Sequence, residues 1–232
     1  MMGSDDARWQ SVFPVRAVGY GLLVLAIFDI VNIFYPADFT NAQWEFGVFG
    51  ELVERVPVPL IGLALVFLGR AYGRSIWEKR LVLLLSWMSL VFGLGFFILA
   101  PLGWNAFSRI ENQVNSAAEQ QTQQLANQVN RFSQQVEQAP LPGLEQLASR
   151  FNQQGRTIVG NGEEGIRKQL LAEIDSAGRQ ANRQTKRGVQ AQILNLRKNF
   201  IKWAAGAFVS GILFVYIFAT TGWSRRGLKR GR

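Results

Sequence analysis

The sequence predicts an all-α membrane protein, with four transmembrane helices and a long extracytoplasmic antiparallel helical hairpin between spans three and four. Apolar residues are concentrated in four runs, whereas residues 105–200 contain few large apolar side chains. Within that polar stretch, apolar residues recur at intervals of three and four, which is typical of amphipathic helices. The chain therefore combines segments suited to lipid with an insert suited to water.

The four runs are the candidate membrane spans. The first, residues 17–35, has about 19 residues and forms about 28 Å of helix, enough for a hydrocarbon core of about 30 Å. We interpret it as an uncleaved signal anchor, because it is longer than a signal-peptide core and no small-residue cleavage site follows. The second run, residues 56–69, is the shortest. The third, residues 81–104, closes a three-span region over 17–104, and the fourth covers 201–223.

Basic residues predict the orientation of these spans. Four Lys and Arg lie between spans two and three and five follow span four, whereas the outer loop 36–56 has one Arg and four acidic residues. The positive-inside rule places segment 1–16 and tail 224–232 in the cytoplasm, and 105–200 in the periplasm or lumen. Arg197, Lys198 and Lys202 oppose this assignment, but long translocated segments follow the rule poorly.

The C-terminal tail is strongly basic. Near a membrane surface each basic residue attracts anionic lipid by about 1 kcal/mol. The tail can serve lipid binding, topology or both. Its basic residues are Arg225, Arg226, Lys229, Arg230 and Arg232.

Heptad-like spacing with one interruption predicts the two arms of the hairpin. The arms have about 34 and 38 residues, and their matched lengths indicate an antiparallel pair. Many seam positions hold Ala, Thr or Gln, so we expect the hairpin to pack against copies of itself or against another protein. The apolar seam residues are Phe107, Ile110, Val114, Leu125, Val129, Phe132, Val136, Ile166, Leu170 and Ile174.

Residues 111–138 contain nine Gln and four Asn. The regular apolar spacing argues against a low-complexity tract. Amides on the outer faces leave this helix nearly uncharged, which suits either lateral contacts between helices or simple solvation.

The chain contains no Cys and no His. These absences exclude disulfides, thiolate nucleophiles, zinc fingers and Ser-His pairs. We therefore predict a protein that is not an enzyme and has no metal site and no cofactor.

Asp29 is the one acidic residue inside a predicted span, and Asn32 lies on the same helical face. Intramembrane carboxylates often serve proton or ion pathways. Asp29 lies near the outer end of its span, however, where it can pair with Arg55. Intramembrane aspartyl chemistry is not expected, because no second Asp occurs on a facing span.

The outer loop is dense in aromatic and acidic residues. It resembles an interfacial amphipathic helix whose Trp44, Phe46 and Phe49 dip toward lipid. It can dock a partner or cap the bundle. The candidate interaction residues are Trp44, Glu45, Phe46, Phe49 and Glu54.

A basic stripe forms where Arg179, Arg183 and Lys186 recur on one helical face, with Arg187 alongside. Such a stripe can bind acidic lipid or polysaccharide. A solvated face that pairs with Glu173 or Asp175 is the simpler interpretation. Nucleic acid is not an expected partner beyond a membrane.

The stretch from Tyr20 to Phe67 contains FDI at Phe28–Ile30, NAQWEF at Asn41–Phe46 and LVERVPVPLIGLALVF at Leu52–Phe67. Through these segments, and over about the first 110 residues, the chain resembles the HpsJ-like family of cyanobacterial membrane proteins. The resemblance implies an association with hormogonium polysaccharide secretion and a plasma or thylakoid membrane. It implies no catalytic residues.

We expect a non-enzymatic membrane scaffold that forms homo-oligomers through its hairpin, with membrane lipids as partners. One alternative is an accessory or assembly subunit of a photosynthetic or other large membrane complex, which bound pigment in the native complex would indicate. A second alternative is a proton-coupled channel or transporter that uses Asp29, which requires loss of flux in Asp29→Asn.

Overall fold

The computed structural model describes residues 4–68, 75–153, 158–160 and 162–226. This part of the chain is helical and contains no strand, which confirms the all-α class. The helices are α1 Ser4–Ile33, α2 Ala42–Arg55, α3 Pro57–Phe67, α4 Ile76–Gln138, α5 Leu141–Gln153, α6 Gly162–Thr220 and α7 Gly222–Arg226.

Three helices within the described residues are long and apolar enough to cross a membrane: α1, α4 and α6. They contain the third predicted span and most of the first and fourth, since α1 ends at Ile33 and α6 at Thr220. The second predicted span falls on α3, which has 11 residues and is about 16 Å long. This length is below the thickness of a hydrocarbon core, and residue 69 lies outside the described residues.

Local sequence explains where α2 and α3 begin. Asn41 has extended backbone and its side chain accepts a hydrogen bond from the backbone N–H of Gln43, at 3.0 Å, so it caps α2. Pro57 occupies the first position of α3, where a missing backbone N–H has no cost. The two helices are therefore separate elements although one residue lies between them.

The chain divides into two compact units. The first contains Met1–Ile110 and Leu196–Arg232, and the second contains Glu111–Asn195. The second unit lies inside the predicted insert 105–200.

Glycines allow close helix contacts in the first unit. A Cβ added at Gly19 on α1 would lie 2.9 Å from the carbonyl oxygen of Gly62 on α3. A Cβ at Gly93 on α4 would lie 3.2 Å from the carbonyl oxygen of Gly211 on α6. Small residues at such crossings let helices associate in lipid, where burial of apolar surface gives little driving force. Around these crossings a core forms from Phe49, Val53, Val56, Leu63, Phe96, Ala207 and Phe214.

The second unit has a compact core formed by parts of α4, α5 and α6. Its buried members are Val136, Leu144, Leu170 and Ile174. Arg167 on α6 donates hydrogen bonds to the carbonyls of Val136 and Ala139, at 3.4 and 3.1 Å. It thereby satisfies one carbonyl in the last turn of α4 and one directly after the helix, where no partner within the helix is available.

The structure corrects three of the predicted seam residues. Phe132 is 54 % exposed, whereas Ser133 and Val136 face inward. Between residues 112 and 138 of α4, the half-buried or buried positions are 114, 118, 122, 125, 129, 133 and 136. They repeat every 11 residues, because an α-helix drifts by about 20° over each heptad. Phe107 and Ile110 are buried in the first unit and so lie outside the second unit.

Candidate functional site at the two ends of the helix bundle

Helix α2 packs its aromatic side into the first unit. Phe46 and Phe49 are 5 % and 2 % exposed. Their ring centroids lie 4.9 and 6.2 Å from that of Trp203 on α6. These two phenylalanines therefore do not dip toward lipid, which corrects the prediction for them, because the partners that bury them come from distant parts of the chain.

Trp44 is placed differently from its two neighbours. It is half-buried, and its ring centroid lies 4.9 Å from that of Phe39 and 6.2 Å from that of Phe34. Both contacts have the edge-to-face geometry that aromatic pairs prefer. Trp44 therefore packs on the segment that joins α1 to α2.

Rings from α4 and α6 continue the cluster around Phe46 and Phe49. Phe107 is 1 % exposed, and its centroid lies 5.5 Å from that of Trp104 and 5.7 Å from that of Phe200. We call the combined cluster the aromatic junction; its members are Phe46, Phe49, Trp104, Phe107, Phe200 and Trp203. It joins α2 to the two long helices.

Glycines make room for these rings. A Cβ added at Gly50 would lie 2.5 Å from the indole of Trp203, and one at Gly103 would lie 2.6 Å from the ring of Phe49. Real Cβ atoms almost never approach so closely. The aromatic junction therefore depends on glycine at both positions.

Ion pairs surround the aromatic junction. Both Glu45 carboxylate oxygens accept hydrogen bonds from Arg109, at 3.0 and 2.9 Å, and Arg109 also donates to the carbonyl of Thr40 at 2.9 Å. Glu54 accepts from Lys202 Nζ at 2.7 Å and from the indole N–H of Trp203 at 2.9 Å. Lys202, whose charge opposed the predicted orientation, is thus paired with an acidic residue of α2.

Hydrogen bonds from Lys202 and then from Trp203 lower the pKa of Glu54 below its ordinary value of 4.5. Because the folded pKa is lowered, these bonds stabilise the fold above pH 4.5, and the stabilisation is lost as the pH falls through the lowered pKa.

We expect Glu54→Gln to melt at a lower temperature than the wild type at neutral pH, with the difference shrinking as the pH falls below 4.5. Thermal melting of the purified protein across this range measures the effect. The control is Glu119→Gln on the exposed side of α4, for which we expect no pH-dependent difference. A Glu54→Gln difference that stays constant with pH would contradict the role of the carboxylate.

Asp29 lies beside a basic residue of α2. Arg55 Nη1 donates to Asp29 Oδ1 at 2.7 Å, and Nη2 donates to Glu51 at 3.3 Å. Asn32 is exposed, and within the described part of the chain its side chain makes no hydrogen bond to this group. One guanidinium therefore holds two carboxylates, and we call these three residues the Asp29 cluster.

Arg16 and Glu78 mark the opposite end of the bundle, which we call the Arg16 end. Arg16 is 5 % exposed; it donates to the carbonyl of Leu68 at 3.1 Å and to Glu78 at 3.3 Å. These contacts bring α1, the residue after α3, and the first turn of α4 together. Sequence reasoning missed Arg16, although a basic residue just before an apolar run is a signal for such a contact.

Arg225 of the basic tail folds back onto the bundle. It donates to the hydroxyl of Ser86 at 2.8 Å and to the carbonyl of Phe218 at 2.7 Å, and its guanidinium lies over the Phe218 ring. Arg225 is thus held by protein groups. For Arg226 the structure gives only its helical backbone, and Lys229, Arg230 and Arg232 lie outside the described residues.

The basic stripe lies on an exposed face of α6. Arg179 pairs with Asp175 one turn earlier, as the simpler interpretation expects. Arg183, Lys186 and Arg187 are exposed. The stripe belongs to the second unit, apart from the aromatic junction.

The polar groups at both ends are joined in ion pairs and hydrogen bonds, an arrangement that fixes helices against one another. In the described ranges, no group of three or more Asp or Glu side chains is placed to hold a metal ion.

A family model described as HpsJ-like protein matches residues 10–222, which is most of the chain. The match extends beyond the first 110 residues and includes the second unit. No curated protein and no solved structure matches the chain.

Proposed function

We propose that this chain, which belongs to the HpsJ-like family, is a non-enzymatic membrane scaffold that associates with its own copies through the hairpin. In this proposal the spans hold the protein in lipid, and the assembled hairpins organise a membrane assembly. The resemblance to this family suggests that the assembly serves polysaccharide secretion. The absence of Cys and His from the sequence supports a role without catalysis.

The uneven core of the second unit is the observation that carries the proposal. Its buried apolar residues lie at the end of the hairpin near α5. Along the arms, seam positions such as Thr122 and Thr185 are only half-buried, and Asn182 Oδ1 is buried without a hydrogen-bond partner in the described part of the chain. Thin seams and unsatisfied polar atoms contribute little stability. Contacts between the hairpins of two copies would add to the stability of the second unit.

The face of α4 that carries Phe132 suits such contacts. Phe132 is exposed, and four exposed glutamines share this face at helical spacing: Gln121, Gln124, Gln128 and Gln135. An amide side chain both donates and accepts hydrogen bonds, so two copies of this face are complementary to each other. No charge lies on these five positions to oppose their approach.

The mass of the full chain in mild detergent tests self-association. We expect an oligomer for the wild type and mainly monomer for Phe132→Glu. The two copies would then bring like charges together on the contact face, and these repel each other. Val159→Glu is the matched control, since Val159 is an exposed apolar residue elsewhere in the second unit. A monomeric wild type, or equal loss in both variants, would contradict the proposal.

We further propose four membrane crossings, with both termini in the cytoplasm and residues 105–200 in the periplasm or lumen. The contacts of Arg16 with Leu68 and Glu78 support α3 as the second of these four crossings. The segment from Arg55 to Leu68 runs beside that from Asp29 to Arg16, and 13 residues of helix cover about 20 Å. A crossing this short requires local thinning of the bilayer.

Thiol labelling tests the orientation, because the wild-type chain has no Cys. In spheroplasts or intact thylakoids, we expect a membrane-impermeant maleimide to distinguish Glu119→Cys from Ser75→Cys. In spheroplasts, Glu119→Cys should be labelled before the membrane is opened and Ser75→Cys only afterwards. In intact thylakoids the order should be reversed. Labelling of both positions from the same side would contradict the four-span topology.

The contacts of Asp29 favour a structural role over proton-coupled transport. Its carboxylate accepts a hydrogen bond of 2.7 Å from Arg55 on α2, so the two helices are joined at this point. We therefore propose that Asp29 fixes α1 to α2. The alternative of an accessory subunit differs from the scaffold in its partner, which purification of the native complex identifies.

A further inference from the structure

A cavity of about 250 Å³ lies in the first unit, among α1, α2, α3, α4 and α6. Its walls are apolar over nearly their whole surface and include Ala26, Leu63, Met88 and Phe214. Of the described residues that line it, only Asp29 and Arg55 are charged. The cavity thus has an apolar interior and an ion pair in its wall, as a site for an amphiphile requires.

We propose that this cavity binds one acyl chain of a membrane glycerolipid whose uncharged, hydroxyl-bearing headgroup lies at the Asp29 cluster. The proposal is independent of self-association through the hairpin.

Continuity with the lipid-facing surface supports an acyl chain as the occupant. Ile27 on α1 and Leu84 on α4 line the cavity, yet they are 60 % and 62 % exposed. Both residues lie on helices that are apolar and long enough to cross a membrane. The cavity is therefore open where bilayer lipid is present, and a chain enters it without crossing water.

The charges of the Asp29 cluster indicate the headgroup. Asp29 and Glu51 carry two negative charges, and Arg55 carries one positive charge and is bonded to both. The net negative charge disfavours an anionic phosphate headgroup. The side chains of Asp29 and Glu51 are 41 % and 52 % exposed, so their carboxylates are accessible to hydroxyl donors.

Lipid retention tests the site. The full-length protein is reconstituted in vesicles with equal amounts of a monoglycosyl diacylglycerol and phosphatidylglycerol, extracted in mild detergent, and examined by native mass spectrometry. Leu84→Trp and Met88→Trp place a larger side chain in the cavity. Leu94→Trp is the control, because Leu94 is 53 % exposed on the same helix and does not line the cavity.

We expect one glycolipid per chain in the wild type and in Leu94→Trp. In Leu84→Trp and Met88→Trp, retention should be about tenfold lower. Absence of bound lipid from the wild type, or equal retention in all four proteins, would overturn the proposal. Retention of phosphatidylglycerol at or above the glycolipid level would overturn the headgroup assignment.

Discussion

Leu170→Ala is expected to unfold the second unit, Glu111–Asn195. Leu170 is fully buried against Val136, Leu144 and Ile174 in the compact core of this unit. Truncation of a buried leucine to alanine lowers the free energy of unfolding by about 2–5 kcal/mol. The arms bury few large apolar side chains, so they offset little of this loss. Hydrogen exchange should show faster exchange throughout residues 111–195, and the oligomer should dissociate.

Leu194→Ala provides the matched control for this result. Leu194 lies on the same helix and in the same unit, but it is 53 % exposed. Its truncation should change stability by about 0.5 kcal/mol or less. If Leu170→Ala left exchange in the hairpin unchanged, this core would not be what holds the unit together.

Gly50→Ala is expected to displace α2 from the aromatic junction. The new Cβ would lie 2.5 Å from the Trp203 indole, and a rigid ring in a packed site cannot yield without moving its neighbours. Overpacking of this kind costs about 1–3 kcal/mol. The melting temperature should fall, and the fluorescence of Trp203 should change because its hydrogen bond to Glu54 is disturbed.

The same helix offers a control of opposite sign. A Cβ added at Gly47 meets no atom within 4 Å, and alanine favours a helix over glycine by about 1 kcal/mol. Gly47→Ala should therefore be neutral or stabilising. Equal destabilisation by the two substitutions would contradict this account, because the effect would then not depend on contact with Trp203.

Long apolar runs predicted α1, α4 and α6 because a helix must match the thickness of the bilayer. The same argument is weaker for α3, where the apolar run is short and the structure contains 11 helical residues. Its placement beside α1 depends on Gly19 and Gly62. Composition alone does not reveal that contact.

The pattern of α4 could be read only in part. Apolar spacing identified Val114, Leu125, Val129 and Val136 as inward-facing, because the intervals between them are sums of steps of three and four residues. Phe132 fits a heptad equally well in sequence, but the helix drifts away from a seven-residue repeat. Only the backbone shows that Ser133 takes the inward position.

The aromatic junction was beyond sequence reasoning for a different reason. Phe46 and Phe49 on an amphipathic helix can face lipid or protein, and periodicity does not distinguish these environments. Their burial depends on Trp203, about 150 residues further along the chain. The Asp29–Arg55 pair was accessible as a hypothesis, because a carboxylate near a span end favours a nearby basic partner.

Cysteine cross-linking in native membranes tests the central claim most directly, since an introduced Cys is the sole thiol in the chain. Phe132→Cys and Val159→Cys are treated with a short bismaleimide, and the products are separated by mass. The proposal predicts a covalent dimer for Phe132→Cys and little for Val159→Cys. A monomer at position 132, or equal dimer at both positions, would contradict association through the hairpin.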